Sequence, residues 1–452
     1  MVSGVLSSEP VATTAWASHS VLTTPFLTDL DLRAAVKGSR DPLGIQQIWT
    51  RLGRHVVGNL TTVSNSLRDF TTLLLGYYFA AGLADELGPG TELATFLKWE
   101  QLAAYARATA NKDWAFRGTD KVRKNLSESS RVTLSDDSTS QILGNQRIYG
   151  LWGLYSMPSR ASGLIDGEQP RLTPPALEFV ESLYLPLLEA GAGNDARRIR
   201  DALRARTARI DVQGSDAPMI KAVGTVLRQR LTTTEREFYR RYLLYGGPND
   251  ETGGRQQQLA ELFQGTLGAT DFAWSPAMVG SLAKNARAHG ETWHPLADRL
   301  ERIRTSETVL APVSAFFTHL LGLDGKPIDF VAMRLGEAWG SLSRTVDPRA
   351  FGDLRGELAT IDSAAADRWV AIANALADGD YRTLVGLVLD QNRAVMAARG
   401  GAPWIEARQD MLHVRFREEQ GALPKRAGIP ALWRFSYFLD SLRSIAGVLQ
   451  AN

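Results

Sequence analysis

Apolar residues at helical spacing constrain this chain more than any other feature. In Pro42–Leu60, PLGIQQIWTRLGRHVVGNL, residues Leu43, Ile45, Ile48, Leu52, Val56 and Val57 fall near one stripe, as an amphipathic helix requires. Asn65–Leu87 follows with a broader apolar face and predicts a central core helix. Thr91 is placed to cap a third helix that carries Leu93, Phe96, Leu97, Leu102 and Tyr105. Alternating, strand-like patterns are confined to Ser130–Leu134, Ser162–Ile165 and Pro170–Thr173. These patterns predict a mainly α, multi-helix protein with a short β-hairpin.

At 452 residues the chain has length for two or three domains, and 44% hydrophobic with 22% charged residues is an ordinary globular balance. The absence of cysteine excludes disulfides, cysteine-ligated zinc, iron–sulfur clusters and thiol nucleophiles, and it fits a reducing, cytoplasmic location. The longest nearly uncharged apolar run, Thr71–Ala84, falls short of the roughly 20 residues a membrane span needs, so no membrane association is expected. Residues 1–24 lack the pattern of a secretion signal and read as a loosely ordered arm. Composition shifts then suggest a helical domain over 25–190, a basic helical segment over 191–246, a glycine-rich break at Gly246–Gly254, and a C-terminal helical domain over 255–452.

Between these lies SGLIDGEQPRLTPPALEFVESL, Ser162–Leu183. Before it, Gly144, Gly150 and Gly153 interrupt an apolar helical pattern, and Pro158 is expected to end or kink the helix. Asp166-Gly167 supplies a turn between two short strands. Thr173 is an N-cap candidate, and Pro174 sits at the favoured first helical position.

The order helix, GLI, polar turn, RLT, helix resembles the winged-helix domain of MarR-type regulators. The resemblance implies a recognition element at Asn145–Arg160 that exposes Gln146, Arg147, Ser156, Ser159 and Arg160 to duplex DNA, with Arg171 flanking the wing. This sequence departs from that pattern in its aromatic Tyr149, Trp152 and Tyr155, and in Asp166 and Glu168, which repel phosphate. More widely, the stretches Asp41–Tyr78, Phe96–Ala106, Ile148–Ile165 and Ala431–Ile445 resemble a loose group of uncharacterised bacterial proteins of restriction and anti-phage defence loci. That resemblance implies other defence-system subunits as partners and carries no catalytic motif.

The segment Arg197–Arg241 holds twelve basic residues against five acidic ones, while the whole chain has a net charge of +2. Arg197, Arg200 and Arg204 share one helical face and form a stripe suited to a phosphate backbone; a solvated helix face partly paired to Asp201 is the plainer alternative. Near the C-terminus Trp433, Phe435, Tyr437 and Phe438 alternate with Arg434 and form a candidate partner-docking element. Phosphate-loop, HExxH, GxSxG and GxGxxG motifs are all missing, so neither cofactor nor metal is expected. The sequence therefore reads as a non-catalytic nucleic-acid-binding or adaptor subunit of a bacterial defence complex. The alternatives are a helical scaffold that binds only protein, and an enzyme whose site is distributed.

Overall fold

A computed structural model describes residues 41–190, 195–267, 272–416 and 421–450; the expected arm and the 191–194 boundary lie outside them. In chain order the elements begin α1 (Ile45–Arg54), α2 (Leu67–Leu87), α3 (Glu92–Ala110), α4 (Thr119–Glu128), β1 (Arg131–Leu134), α5 (Gln146–Tyr149), α6 (Leu151–Ala161), β2 (Ile165–Asp166) and β3 (Arg171–Leu172). They continue with α7 (Pro174–Phe179), α8 (Leu185–Ala190), α9 (Asp195–Arg204), β4 (Ala208–Asp211), α10 (Ala217–Val226), α11 (Thr233–Tyr239), α12 (Arg255–Gln264) and α13 (Pro276–Ala288). The remainder is α14 (His294–Leu320), α15 (Ile328–Trp339), α16 (Pro348–Gly352), α17 (Arg355–Ala359), α18 (Ser363–Asp378), α19 (Tyr381–Ala398), β5 (Ile405–Arg408), β6 (Met411–Val414) and α20 (Leu439–Gln450). The fold is mainly α, and its described strands form three separate two-stranded antiparallel sheets. None of the described helices is long and apolar enough to cross a membrane.

The chain divides into two compact units, one of residues 49–304 with 433–452, the other of residues 305–432 with the segment ending at Ile48. The expected glycine-rich break at 246–254 falls inside the first unit. There α2 and α3 pack side by side, and α10 packs against α3. Every residue of α3 from Thr95 to Ala108 is buried. Close approach of α2 depends on Gly76, where an added Cβ would stand 2.6 Å from the Phe96 ring. Thr91 holds the N-cap position of α3 without capping it; its hydroxyl donates to the Gly88 carbonyl instead.

Charged side chains buried with these helices find partners inside the protein, although the Arg68 Nε has none among the described residues. The Arg107 guanidinium donates to Asp69 at 2.6 Å, to Asp113 at 2.7 Å and to the Ala115 carbonyl at 2.8 Å. Arg68 pairs with Glu235, which also accepts from Tyr184, while Tyr239 bonds Thr71. Lys98 donates to the Leu203 and Ala205 carbonyls, a cation at the C-terminus of α9, where the helix dipole favours one.

The C-terminal aromatics correct the sequence reading. Tyr437 and Phe438 are buried, at 0% and 4% exposure, because Trp49 packs edge-on to both rings and the Arg54 guanidinium lies over Phe438. Trp433 is half-buried against Trp274 and Tyr437, and Phe435 is half-buried as well. This segment closes its own unit and is not a free docking face.

In the other unit α18 and α19 pack together, with α17 against α18 and α15 against α19. The β5–β6 hairpin turns through Gln409 and Asp410, both left-handed at φ 52° and 58°.

Removing one partner from a buried ion pair leaves an uncompensated charge, so Arg107→Ala, which strands Asp69 and Asp113, is expected to destabilise by about 3–5 kcal/mol. Urea denaturation checks this; a loss under ~1 kcal/mol contradicts the assigned role.

Candidate interaction surface

The expected helix, hairpin, helix order is present. α6 leads into β2, β2 pairs with β3 through Ile165↔Leu172 and Asp166↔Arg171, and α7 starts at Pro174. Thr173 stands at the N-cap position, but its hydroxyl donates to the Gly163 carbonyl at 2.8 Å. Pro158 does not end the helix; α6 runs through it to Ala161.

The recognition element expected at 145–160 is two helices, α5 and α6, broken at Gly150. An α3 carboxylate forces the break. Glu100 accepts the Leu151 backbone N–H at 2.8 Å, the first amide of α6, and the Gln146 side-chain amide at 2.8 Å. An added Cβ at Gly150 would lie 2.4 Å from the Gln146 carbonyl and 2.7 Å from Glu100, so only glycine fits. At Gly153 it would lie 2.2 Å from the Ile148 carbonyl.

This geometry sorts the predicted base-reading residues. Gln146 is fully buried; its amide also bonds the Leu97 carbonyl and the Gln101 side chain, so it anchors α5 to α3 and cannot reach a base edge. Ser159 is likewise fully buried. Ser156 is half-buried and bonds Tyr77 at 2.5 Å. Arg171 is exposed, but both its terminal nitrogens bond Asp85, at 2.7 and 3.2 Å. Arg160 is half-buried, and only Arg147 stands fully exposed without an ion pair among the described residues.

Beside Arg147, the pair of helices turns large apolar side chains outward. Ile148, Tyr149 and Met157 are 52%, 58% and 56% exposed, and Gly153 lies between them along the chain. The opposite face carries the load of the core: Trp152 packs on Tyr77 and Phe96, and Tyr155 on Phe70. Tyr155 also donates to Asp69 at 3.2 Å.

The arginine stripe on α9 is largely neutralised. Arg204 and Arg200 both face Glu86 of α2, the latter at 3.9 Å, and the neighbouring Arg198 pairs with Asp216 at 2.5 Å. Arg197, and beyond the stripe Arg206 and Arg209, are exposed with no ion pair among the described residues.

Sequence reasoning missed Glu100 and the outward apolar trio. The signal for Glu100 was a helix whose charged residues had no polar face to share. Burial pushes its carboxyl up to about 7, opposed by the two hydrogen bonds it accepts; Asp69 nearby pushes the same way and Arg117 the other. Among the described residues no group of three or more His, Asp or Glu side chains gathers as a metal would need. No protein-family model, curated protein or solved structure matches this chain.

Because the native Glu100 carboxyl sits above its ordinary 4.5, the folded state holds its proton more tightly than the unfolded one. Its contribution is present below about pH 4.5 and is lost as pH rises toward 7, by up to roughly 3 kcal/mol. The stability of the wild type relative to Glu100→Gln is therefore expected to fall between pH 4.5 and 7 and to level off above. Paired urea denaturation curves across that range check it, and a flat difference rules it out.

Proposed function

We propose that this chain is a non-catalytic adaptor subunit that docks a partner protein through the outward face of α5 and α6. The carrying observation is the trio Ile148, Tyr149 and Met157, each more than half exposed on one short helical module. Exposed large apolar side chains mark protein contact more often than groove reading, which needs polar side chains at base edges. Here the polar candidates Gln146 and Ser159 face inward. The flanking Arg147 favours a partner with an acidic rim beside an apolar patch. For setting we propose a cytoplasmic bacterial anti-phage defence complex, on the sequence resemblance and the cysteine-free composition.

A second reading, contact with duplex DNA, rests on Arg197, Arg206 and Arg209, which are exposed and without an ion pair among the described residues. Such contact would be salt-dependent and indifferent to sequence.

Affinity purification from the native host, in parallel with gel shift at low salt, separates the two. We expect a stoichiometric co-purifying protein that is lost with Met157→Glu plus Tyr149→Glu while the thermal melt is retained. Duplex binding that survives those substitutions, and is lost on replacing Arg197, Arg206 and Arg209, would reject the adaptor reading in favour of the second. Metal-dependent turnover of nucleic acid by the isolated chain would reject both.

A further inference from the structure

The unit of residues 305–432 with the segment ending at Ile48 holds a partly open cavity of about 230 Å³ between the first turn of α1, the end of α17 and the facing sides of α18 and α19. Ile48, Ile361, Ala366 and Val395 supply apolar wall, and Gln47, Asp362, Arg368, Gln391 and Arg399 bring polar groups to it. Small residues create the space. On α19 the wall positions Ala394 and Ala398 lie one turn apart, and Gly44, left-handed at φ 71°, would bring a Cβ within 3.1 Å of Val395.

Two donors at this wall lack acceptors. Arg368 is half-buried and held by its Nε, which donates to Gln391 at 2.8 Å. The Gln391 amide is itself committed to the Leu43 carbonyl at 2.9 Å. The arrangement fixes the guanidinium in place, and its terminal nitrogens meet no carboxylate among the described residues. Trp369 is 1% exposed, and its indole N–H is buried without an acceptor among them. The remaining charges at the rim are engaged: Asp362 caps α18 through the Ala365 N–H at 2.9 Å, and Arg399 is held by Asp41, including a 2.7 Å bond to its carbonyl.

We propose that this cavity is a binding site for a small apolar molecule carrying a carboxylate. Its body fills the alanine-lined space and its carboxylate pairs with Arg368. An apolar concavity with a few fixed polar groups is the common form of a small-molecule site, and charge-assisted hydrogen bonds orient the occupant within it. The proposal is independent of the adaptor reading, because it uses none of the α5–α6 surface.

Calorimetric titration of the full chain with benzoate and with hexanoate tests it, with benzyl alcohol as the uncharged control. Saturable binding of at least one carboxylate with Kd below ~1 mM is expected. Arg368→Gln should weaken it about tenfold or more, the share of one charged hydrogen bond. Ala394→Leu should abolish it by filling the space; Ala398→Leu, at the exposed rim, serves if Ala394→Leu fails to fold. No saturable heat from either carboxylate overturns the proposal. So does equal affinity for benzyl alcohol together with no effect of Arg368→Gln.

Discussion

The first unit depends on a helix that has no side toward water. From Thr95 to Ala108 α3 is wholly buried, so Lys98, Glu100, Gln101 and Arg107 must each find partners within the protein. A buried charge left unpaired is prohibitive, and each solution here therefore fixes a neighbouring element. Lys98 secures the end of α9, and Arg107 ties α2 to the loop after α3. Gln101 binds the Ser135 carbonyl just past β1 at 2.8 Å. Glu100 sets where α6 begins. The charges of α3 thus act as the addresses to which the surrounding segments are delivered.

The outward face of α5 and α6 follows from the same helix. By holding both Gln146 and the first amide of α6, Glu100 turns the polar side chain of α5 inward and breaks the helical run. Ile148 and Tyr149 are left on the solvent side, with Met157 beyond them. The apolar exposure is thus a consequence of satisfying a buried carboxylate, and the core strengthens what the surface gives up.

Local pattern made much of the fold legible. The stripe in α1, the broad apolar face of α2, and the strands at β1 and around the Asp166-Gly167 turn all stand where spacing and turn chemistry put them. Side-chain direction was less legible. Gln146 looked like an outward donor because the winged-helix resemblance put it on a recognition helix, and its partners on α3, Glu100 among them 46 residues earlier in the chain, reverse that. The stripe of Arg200 and Arg204 looked free because its neutralising acid, Glu86, lies on another helix. Tyr437 and Phe438 looked like a docking face, since nothing local announces that Trp49 and Arg54 cover them. Each misreading is a pairing between residues far apart in sequence, which periodicity cannot encode.

That last contact bears on the order in which the molecule is made. Tyr437 backs onto Gly53, where a Cβ would meet its carbonyl at 2.7 Å, and Ser441 bonds the Thr61 carbonyl. The unit begun at residue 49 is completed only by residues 433–450, after the other unit's stretch 305–432 has been synthesised. On the ribosome Trp49 and the core around Phe70 must wait for residues 433–450 to emerge. Neither unit can be cut out as one uninterrupted fragment, and a chain truncated before residue 433 would leave the unit begun at residue 49 unfinished.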